Sequence, residues 1–226
     1  MKKYKTLKDH VYDYIAEQIL DGNLIPSQRI NETAISQELS VSRTPVREAL
    51  IQLSCEGILD NLPRKGFVLK GVTEKEARDL YTVIGILDGM AAQMTCEILT
   101  EKDLSRMDFY IQSMDLAINA DNYAMYLEQQ DAFHQVYLDK CDNEVLSETI
   151  SRLKSKFFTR GYAEGAEEHN KKFLSGINDE HREILRLFKN KNGDGLLQYL
   201  IKVHWSPSHA HNELIKAELQ ADEKRG

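Results

Sequence analysis

Cysteine and proline are scarce in this chain of 226 residues, and each scarcity excludes a class of structure. The three cysteines lie far apart without a Cys-x-x-Cys pair, so the sequence predicts neither a disulfide framework nor a thiolate zinc site. The most apolar run, Leu80 to Leu87, has eight residues, whereas a membrane helix needs about 20. The first residues also lack the apolar stretch and cleavage site of a secretion signal. We therefore expect a cytoplasmic protein with no membrane partner.

Basic residues are outnumbered in the chain as a whole, because 29 Lys and Arg face 36 Asp and Glu for a net charge of −7. The imbalance is uneven along the sequence. Residues 1–70 contain 10 basic and 9 acidic residues, whereas residues 71–226 contain 19 basic and 27 acidic residues. If the chain binds a polyanion such as DNA, the first third is the part that binds it.

Three of the four prolines lie in the first third of the chain, and only Pro207 lies beyond Pro63. Near this change of composition, Thr73 and Glu76 have the spacing of a capping box that opens a new helix. We predict a first domain at residues 1–70, a linker at 71–73 and a second domain at 74–226.

Apolar periodicity and turn residues predict the elements of both domains. In the first domain, helices at about 5–21, 32–39 and 45–56 precede two short strands at 58–62 and 67–69. In the second, helical periodicity covers residues 74–98, 101–119, 122–140, 144–160, 178–190, 194–205 and 207–221. The predicted fold class is mainly α, with an N-terminal winged helix-turn-helix followed by an all-α antiparallel helical bundle.

The segment around the start of the third helix has the residue types that read DNA. Thr44 can cap that helix and Pro45 can occupy its first position, so backbone N–H groups there attract a phosphate. Two arginines four residues apart leave the same helix face and can pair with guanine edges, and the hairpin tip adds charge and close backbone approach. The alternative is that these are surface arginines paired with acids such as Glu48. The residues predicted to contact DNA are Ser42, Arg43, Thr44, Arg47, Arg64, Lys65 and Gly66.

A family resemblance favours DNA binding over that alternative. Its motifs are Asp21-Gly22, Pro26, Arg-Ile-Asn-Glu at 29–32, Val-Ser-Arg-Thr-Pro-Val-Arg-Glu-Ala-Leu at 41–50, Leu53, Glu-Gly-Ile at 56–58 and Pro-Arg-Lys-Gly-Phe-Val at 63–68. Together they closely resemble the GntR family of bacterial transcription regulators. The resemblance implies a homodimer on a short palindromic operator, with contacts from residues 42, 43, 44 and 47 and with Gly66 in the wing. Thr33 departs from the relatives that carry a DNA-contacting arginine there.

Three histidines of the second domain, His134, His181 and His204, lie in apolar stretches of three predicted helices. Inward-facing imidazoles from three helices can meet at one point, and neutral imidazole is a common metal ligand. A site with three histidine ligands leaves positions open for water or an anion. Spacing alone nevertheless favours ordinary core or surface histidines.

A second resemblance changes that balance. The motifs are Asp-Ala-Phe-His at 131–134, Asp142-Asn143, Glu180-His181 with Ile184, and His204. They are similar to the metal-binding version of the FadR-type effector domain, known as FCD. This resemblance implies a divalent metal, Zn or Ni, held by the three histidines and a side chain four residues before the first, which is Gln130 here. Asp131 remains an alternative fourth ligand, because residues 130 and 131 lie about 40° and 60° from His134 around a helix.

The effector is less well defined by the sequence. Residues 81–92 resemble the first FCD helix, but Ile84 occupies the place where many relatives present an arginine toward a carboxylate effector. A carboxylate would then need the metal or another cation, and Arg152 and Arg160 are the candidates. We expect a DNA-binding transcription repressor, not an enzyme, whose operator affinity a small-molecule effector modulates at or near the metal.

Two alternatives remain open. The first is a metal-dependent enzyme that uses the three histidines and an activated water, with Glu180 as its base. The second is a dimerisation scaffold whose ligand site is vestigial.

Overall fold

The computed structural model describes residues 5–20, 23–24, 27–154 and 167–211. The chain divides into two compact units, with the boundary between Thr73 and Glu74. The fold is mainly helical, as predicted from the sequence.

The first unit is a winged helix-turn-helix. Its elements are α1 (Leu7–Leu20), α2 (Glu32–Glu38), α3 (Arg43–Cys55), β1 (Leu59–Leu62) and β2 (Gly66–Leu69). The two strands are antiparallel, with Leu59 opposite Leu69 and Leu62 opposite Gly66. One apolar core joins all five elements, because α1 and α3 each bury a stripe spaced three or four residues apart. Its main side chains are Val11, Ile15, Ile19, Ile35, Val46, Leu50, Leu53, Leu59, Phe67 and Leu69.

Helix α3 begins earlier than the sequence predicts. Ser42 is its N-cap, in an extended conformation and without a side-chain capping hydrogen bond, so the prediction that Thr44 caps the helix is wrong. Pro45 is instead the third helical residue. Proline is tolerated there because the N–H groups of a first helical turn have no partner within the helix. The result places Arg43 in the first turn itself.

From Glu74 onward, every regular element that the structure describes is helical. Its elements are α4 (Glu74–Thr95), α5 (Glu101–Asn119), α6 (Tyr123–Leu138), α7 (Glu144–Lys154), α8 (Glu167–Lys189) and α9 (Gly193–Tyr199). A π-helical turn, Leu200–His204, continues directly from α9, and a 3-10 turn follows at His209–His211. Helix α5 packs against α6 and α8, while α4 packs against α6, α9 and the π-helical turn.

The larger departures from the predicted helices of this unit lie in α8 and after Ser206. Helix α8 starts at Glu167 rather than residue 178, and the apolar signal in its first turns is thin because Asn170 and Leu174 are the buried residues between 170 and 177. Ser206-Pro207 does not open an α-helix, since a turn and the 3-10 turn follow it. The predicted helical stretches beyond residues 154 and 211 lie outside the described residues.

Two glycines of α4 determine how the C-terminal elements pack. A Cβ atom on Gly85 would lie 2.9 Å from Cβ of Trp205, and one on Gly89 would lie 3.1 Å from the backbone oxygen of Leu197. The Gly85 distance is shorter than two carbon atoms allow, so a larger residue there would displace Trp205, whereas at Gly89 the contact is tight and Leu197 would have to shift slightly. The glycines thus let α9 and the π-helical turn lie directly against α4.

No helix in the described part of the chain is long and apolar enough to cross a membrane.

Candidate nucleic-acid interface and metal centre

The N-terminal turn of α3 presents two arginines to solvent. Val46 and Leu50 are fully buried on the inner side of the helix, whereas Arg43 and Arg47 are exposed. In the described ranges, the structure gives neither arginine an ion pair with an acidic side chain, and Glu48 is itself exposed. Among the described residues, no acidic side chain therefore competes with an outside partner for these two guanidinium groups.

The hairpin tip carries further cations. Arg64 and Lys65 are exposed, and both Arg64 and Gly66 adopt positive φ, 65° and 79°, to turn the chain between β1 and β2. Arg29 was not among the predicted contacts, yet its backbone bridges to Val68 and its Nε lies 3.9 Å from the position of a Cβ on Gly66. Arg29 thus adds an exposed cation beside the wing. Its place in the Arg-Ile-Asn-Glu motif could have indicated it.

The second unit brings the three predicted histidines together. His134 comes from α6, His181 from α8 and His204 from the π-helical turn. One nitrogen of each ring lies within 4.8 Å of the others. The three side chains are buried, with 0%, 0% and 4% exposure. We call these residues the histidine cluster.

A buried carboxylate determines the tautomer of His134. Nδ1 of His134 lies 2.6 Å from the hydroxyl of Tyr137 and 3.1 Å from Oδ2 of Asp88. The Tyr137 hydroxyl donates to Oδ1 of Asp88 at 2.8 Å, so both neighbours of Nδ1 offer only acceptor atoms to it. Nδ1 therefore carries the proton, and Nε2 carries the lone pair. Burial first, and then the charge of Asp88, raises the pKa of Tyr137 well above its usual value, which keeps this hydroxyl a donor.

A second carboxylate, Glu180, determines the tautomer of His204. Nδ1 of His204 lies 3.0 Å from Oε2 of Glu180 and donates to it. The other carboxylate oxygen of Glu180 lies 3.7 Å from Nε2 of His209. Nε2 of His204 consequently carries its lone pair and faces Nε2 of His134 at 3.2 Å.

This arrangement fits a divalent metal. Two lone pairs that face each other at 3.2 Å repel, so a proton or a cation must lie between them. Two imidazole nitrogens on one tetrahedral zinc ion lie about 3.3 Å apart, given Zn–N bonds of about 2.0–2.1 Å. For His134 and His204, donor type, tautomer and spacing agree with a zinc-like ion, and a nitrogen of His181 lies within 4.8 Å of theirs.

The two residues considered as fourth ligand have different surroundings. Gln130 is one turn before His134 and is 8% exposed, whereas Asp131 is on the exposed side of α6. Gln130 is thus on the buried side of α6, as His134 is, and its amide oxygen would be a neutral ligand.

The structure gives less information on the residues that the sequence suggests as effector contacts. Arg152 lies on the exposed face of α7, and Arg160 lies outside the described residues. Ile84 is fully buried in α4.

Sequence reasoning missed Asp88, Tyr137 and Trp205. Asp88 accepts a hydrogen bond from Nε1 of Trp205 at 2.7 Å in addition to its contacts with Tyr137 and His134. A signal for Asp88 did exist, because it shares the buried helical register of Tyr81, Ile84 and Gly85. A carboxylate on an apolar face requires buried donors.

Family comparisons agree with both units. The sequence model described as bacterial regulatory proteins, gntR family, matches residues 7–69, and the model of the FCD domain matches residues 79–204. The chain belongs to the GntR family of bacterial transcription regulators, and its helical unit is an FCD domain. This family consists of DNA-binding regulators and not of enzymes.

Individual relatives of this chain are also transcription regulators. The HTH-type transcriptional regulator YdhC of Bacillus subtilis is 25% identical over 193 residues, which are 84% of this chain and 84% of that protein. The gluconate operon transcriptional repressor of the same organism is 28% identical over 189 residues, 81% of this chain and 76% of that protein.

Solved structures share the fold. E. coli McbR/YncC matches with a TM-score of 0.75 at 19% identity, covering 96% of this chain and 100% of that chain. A GntR transcriptional regulator from Rhodococcus sp. RHA1 matches with a TM-score of 0.71 at 18% identity, covering 92% and 97%.

Proposed function

We propose that this GntR-family regulator is a homodimeric repressor that reads a palindromic operator with α3 and the wing. The observation that carries the proposal is the pair Arg43 and Arg47, exposed at the start of a helix whose other face is anchored in the core. Major-groove readers present side chains in this way from the N-terminal part of a recognition helix. The hydroxyls of Ser42 and Thr44 and the wing residues Arg29, Arg64, Lys65 and Gly66 would contact phosphates and the adjacent groove. The repressor assignment is supported by the similarity to the gluconate operon transcriptional repressor.

The homodimer is supported by an apolar stripe on the outer face of α4 and the turn after it. Its side chains recur every three or four residues and are 41–55% exposed. They are Val83, Ile86, Met90, Met94 and Ile98. A continuous stripe of this kind is typical of a helix that packs against another protein surface. A second copy is the proposed partner, since a palindrome needs two winged units.

We also propose that the histidine cluster holds a divalent metal, Zn or Ni. His134, His181 and His204 would be its ligands, with Gln130 at the fourth place. Such an ion, when bound, would join α6, α8 and the π-helical turn; three histidines fill three of its positions, and an anion would take the fourth in place of the neutral Gln130 amide. With Ile84 where relatives carry an arginine, the ion is the proposed anchor for a small carboxylate effector; Arg152 and Arg160 remain candidates for additional contacts.

Regulation would then follow from population shift. A ligand that binds one arrangement of the dimer better than another changes the fraction that matches both operator half-sites. Because the histidine cluster draws on α6, α8 and the π-helical turn, and because Asp88 links it to α4, an effector there contacts several elements of the FCD domain.

The proposal is tested by selecting duplexes from a random library with the full-length protein. We expect palindromic sequences bound by two chains per duplex. Metal content is measured on the same preparation by elemental analysis, and a chelator should lower the melting temperature. His134→Ala should abolish the chelator effect, while His10→Ala, an exposed histidine of α1, should leave it unchanged. Non-palindromic selection with one chain per duplex would contradict the dimeric operator.

A vestigial site is the second candidate, because the fourth position holds Gln130 rather than a carboxylate. In that case purified protein would contain no metal, and the chelator would not change the melting temperature of the parent or of His134→Ala.

A further inference from the structure

We propose that Asp88 and Glu180 are positioning residues of the metal centre, which hold His134 and His204 in the metal-binding tautomer and supply the negative charge that Gln130 lacks. This inference rests on the proposed metal site. Neither residue belongs to the ligand set suggested by the sequence.

Asp88 is the more deeply buried of the two carboxylates. It is fully buried, and the donors around it come from α6 and from the residue after the π-helical turn. They are the Tyr137 hydroxyl at 2.8 Å, Nε1 of Trp205 at 2.7 Å and Nδ1 of His134 at 3.1 Å. A carboxylate accepts at both oxygens, so it satisfies all three groups at once. Asparagine has an NH₂ donor in place of one oxygen, so it cannot accept hydrogen bonds from all three groups.

The location of Asp88 links two ligands. It contacts His134 directly, and through Trp205 it holds the residue next to His204. Gly85 lies one turn earlier on α4 and lets Trp205 approach the helix backbone. Asp88 therefore controls the position of one ligand ring and the chain direction at another.

Glu180 orients His204, the other histidine of the facing pair. It precedes His181 on α8 and accepts from Nδ1 of His204 at 3.0 Å. The two carboxylates thus each bond the nitrogen of a ligand ring that faces away from the centre. This carboxylate–histidine–metal arrangement fixes ring orientation and raises ligand basicity.

The charge of the donor set gives an independent argument. Three neutral imidazoles and a glutamine amide leave both positive charges of a divalent ion without compensation among the ligands. An isolated charge in a protein interior is costly unless opposite charge is close. Asp88 and Glu180 carry two negative charges, one imidazole ring away from the ion. The negative charge that balances the ion therefore comes from Asp88 and Glu180, which contact the ligands, and not from the side chain at position 130.

The test compares Asp88→Asn and Glu180→Gln with matched controls on the same helices, Asp79→Asn and Asp179→Asn. Both control residues are exposed. Affinity of the full-length protein for Co²⁺ is measured at neutral pH from the ligand-field absorption, and Zn²⁺ affinity by competition. We expect each positioning variant to lose about 10–100-fold in metal affinity, and each control to lose less than about 2-fold. Circular dichroism checks that the variants keep their helical content.

Two further measurements separate positioning from folding. Nitrogen-15 NMR of the metal-free protein should show His134 as the Nδ1–H tautomer in the parent and a mixture in Asp88→Asn. Adding Gln130→Glu to Asp88→Asn should restore at least about 10-fold of the lost affinity, because a carboxylate then returns to the ligand set.

The outcomes are distinct. No cobalt binding by the parent would overturn the proposed metal site itself. Cobalt binding by the parent that is equally tight in Asp88→Asn and Glu180→Gln would overturn this inference and leave the metal site standing. If Asp88→Asn fails to fold, Glu180→Gln decides the question alone, since Glu180 is partly exposed and less central to packing.

Discussion

Replacing Gly85 by alanine tests whether close packing against α4 determines the metal centre. The new Cβ would lie 2.9 Å from Cβ of Trp205 and 3.4 Å from the backbone at Ile201 and Leu200. Relaxed carbon contacts are about 3.5–4.0 Å, so Trp205 must move away by about 0.6–1.1 Å. The backbone N–H of Trp205 donates to the carbonyl oxygen of Leu200, so the movement also displaces the end of the π-helical turn, and we expect the Trp205–Asp88 hydrogen bond of 2.7 Å to lengthen.

The stability cost is isolated by a matched substitution. A Cβ on Gly176, within α8, would meet no atom within 4 Å. Gly176→Ala should therefore stabilise the protein by about 0.5–1 kcal/mol through helix propensity alone. Gly85→Ala gains the same propensity but adds an overpacking cost of about 1–3 kcal/mol. Subtracting the two unfolding free energies leaves the overpacking cost.

Urea unfolding and cobalt affinity are the assays. We expect Gly85→Ala to be less stable than Gly176→Ala by about 1–3 kcal/mol and to bind cobalt more weakly than the parent, whereas Gly176→Ala binds it normally. Equal stability of the two variants, together with unchanged cobalt affinity, would refute the reasoning that glycine is needed for this approach.

Other substitutions test the remaining parts of the account. Ile86→Glu should convert the dimer to monomers in analytical ultracentrifugation, because it places a charge in the α4 stripe, while Val145→Glu, an exposed apolar residue of α7, should not. Thr100→Ala should cost about 0.5–2 kcal/mol in urea unfolding, because it removes the capping box of α5. Hydrogen bonds from Thr100 lower the pKa of Asp103, so this carboxylate stabilises the fold above the ordinary aspartate range and loses that effect as the pH falls; acid titration of stability should therefore be shallower in Thr100→Ala. Removing the metal by chelation should lower the melting temperature by about 5–10 °C if the ion is present at about 100 times its Kd.

Local signals in the sequence predicted the parts of the fold that depend on few residues. The start of α5 at Glu101 agrees with prediction because Thr100 and Asp103 form a capping box within one turn. The winged helix-turn-helix was predicted because its stripes and its turn residues are close in sequence. The start of α3 at Arg43 was missed, since Ser42 caps it by backbone conformation rather than by a side-chain hydrogen bond.

The parts of the site that sequence reasoning missed depend on contacts between distant residues. Asp88 bonds to Tyr137 and Trp205, which are 49 and 117 residues further along the chain. No local pattern specifies such partners. The π-helical turn that places His204 likewise follows a regular helical pattern in the sequence, and it forms where α9 packs against the glycines of α4. The histidines were noticed because each occupies an apolar register that marks a buried helix face, but the FCD resemblance, not the register, favoured a metal site.

The most direct test of the central claim measures operator affinity against salt concentration for the parent, Arg43→Ala, Arg47→Ala and the control Arg78→Ala on α4. The account predicts that at least one of the α3 variants loses about 1–3 kcal/mol of binding free energy and tolerates more base changes in the operator, while Arg78→Ala binds as the parent does. A variant that loses only a phosphate contact would instead show a shallower salt dependence. Unchanged affinity, base preference and salt dependence in both α3 variants would contradict the claim that this helix reads DNA.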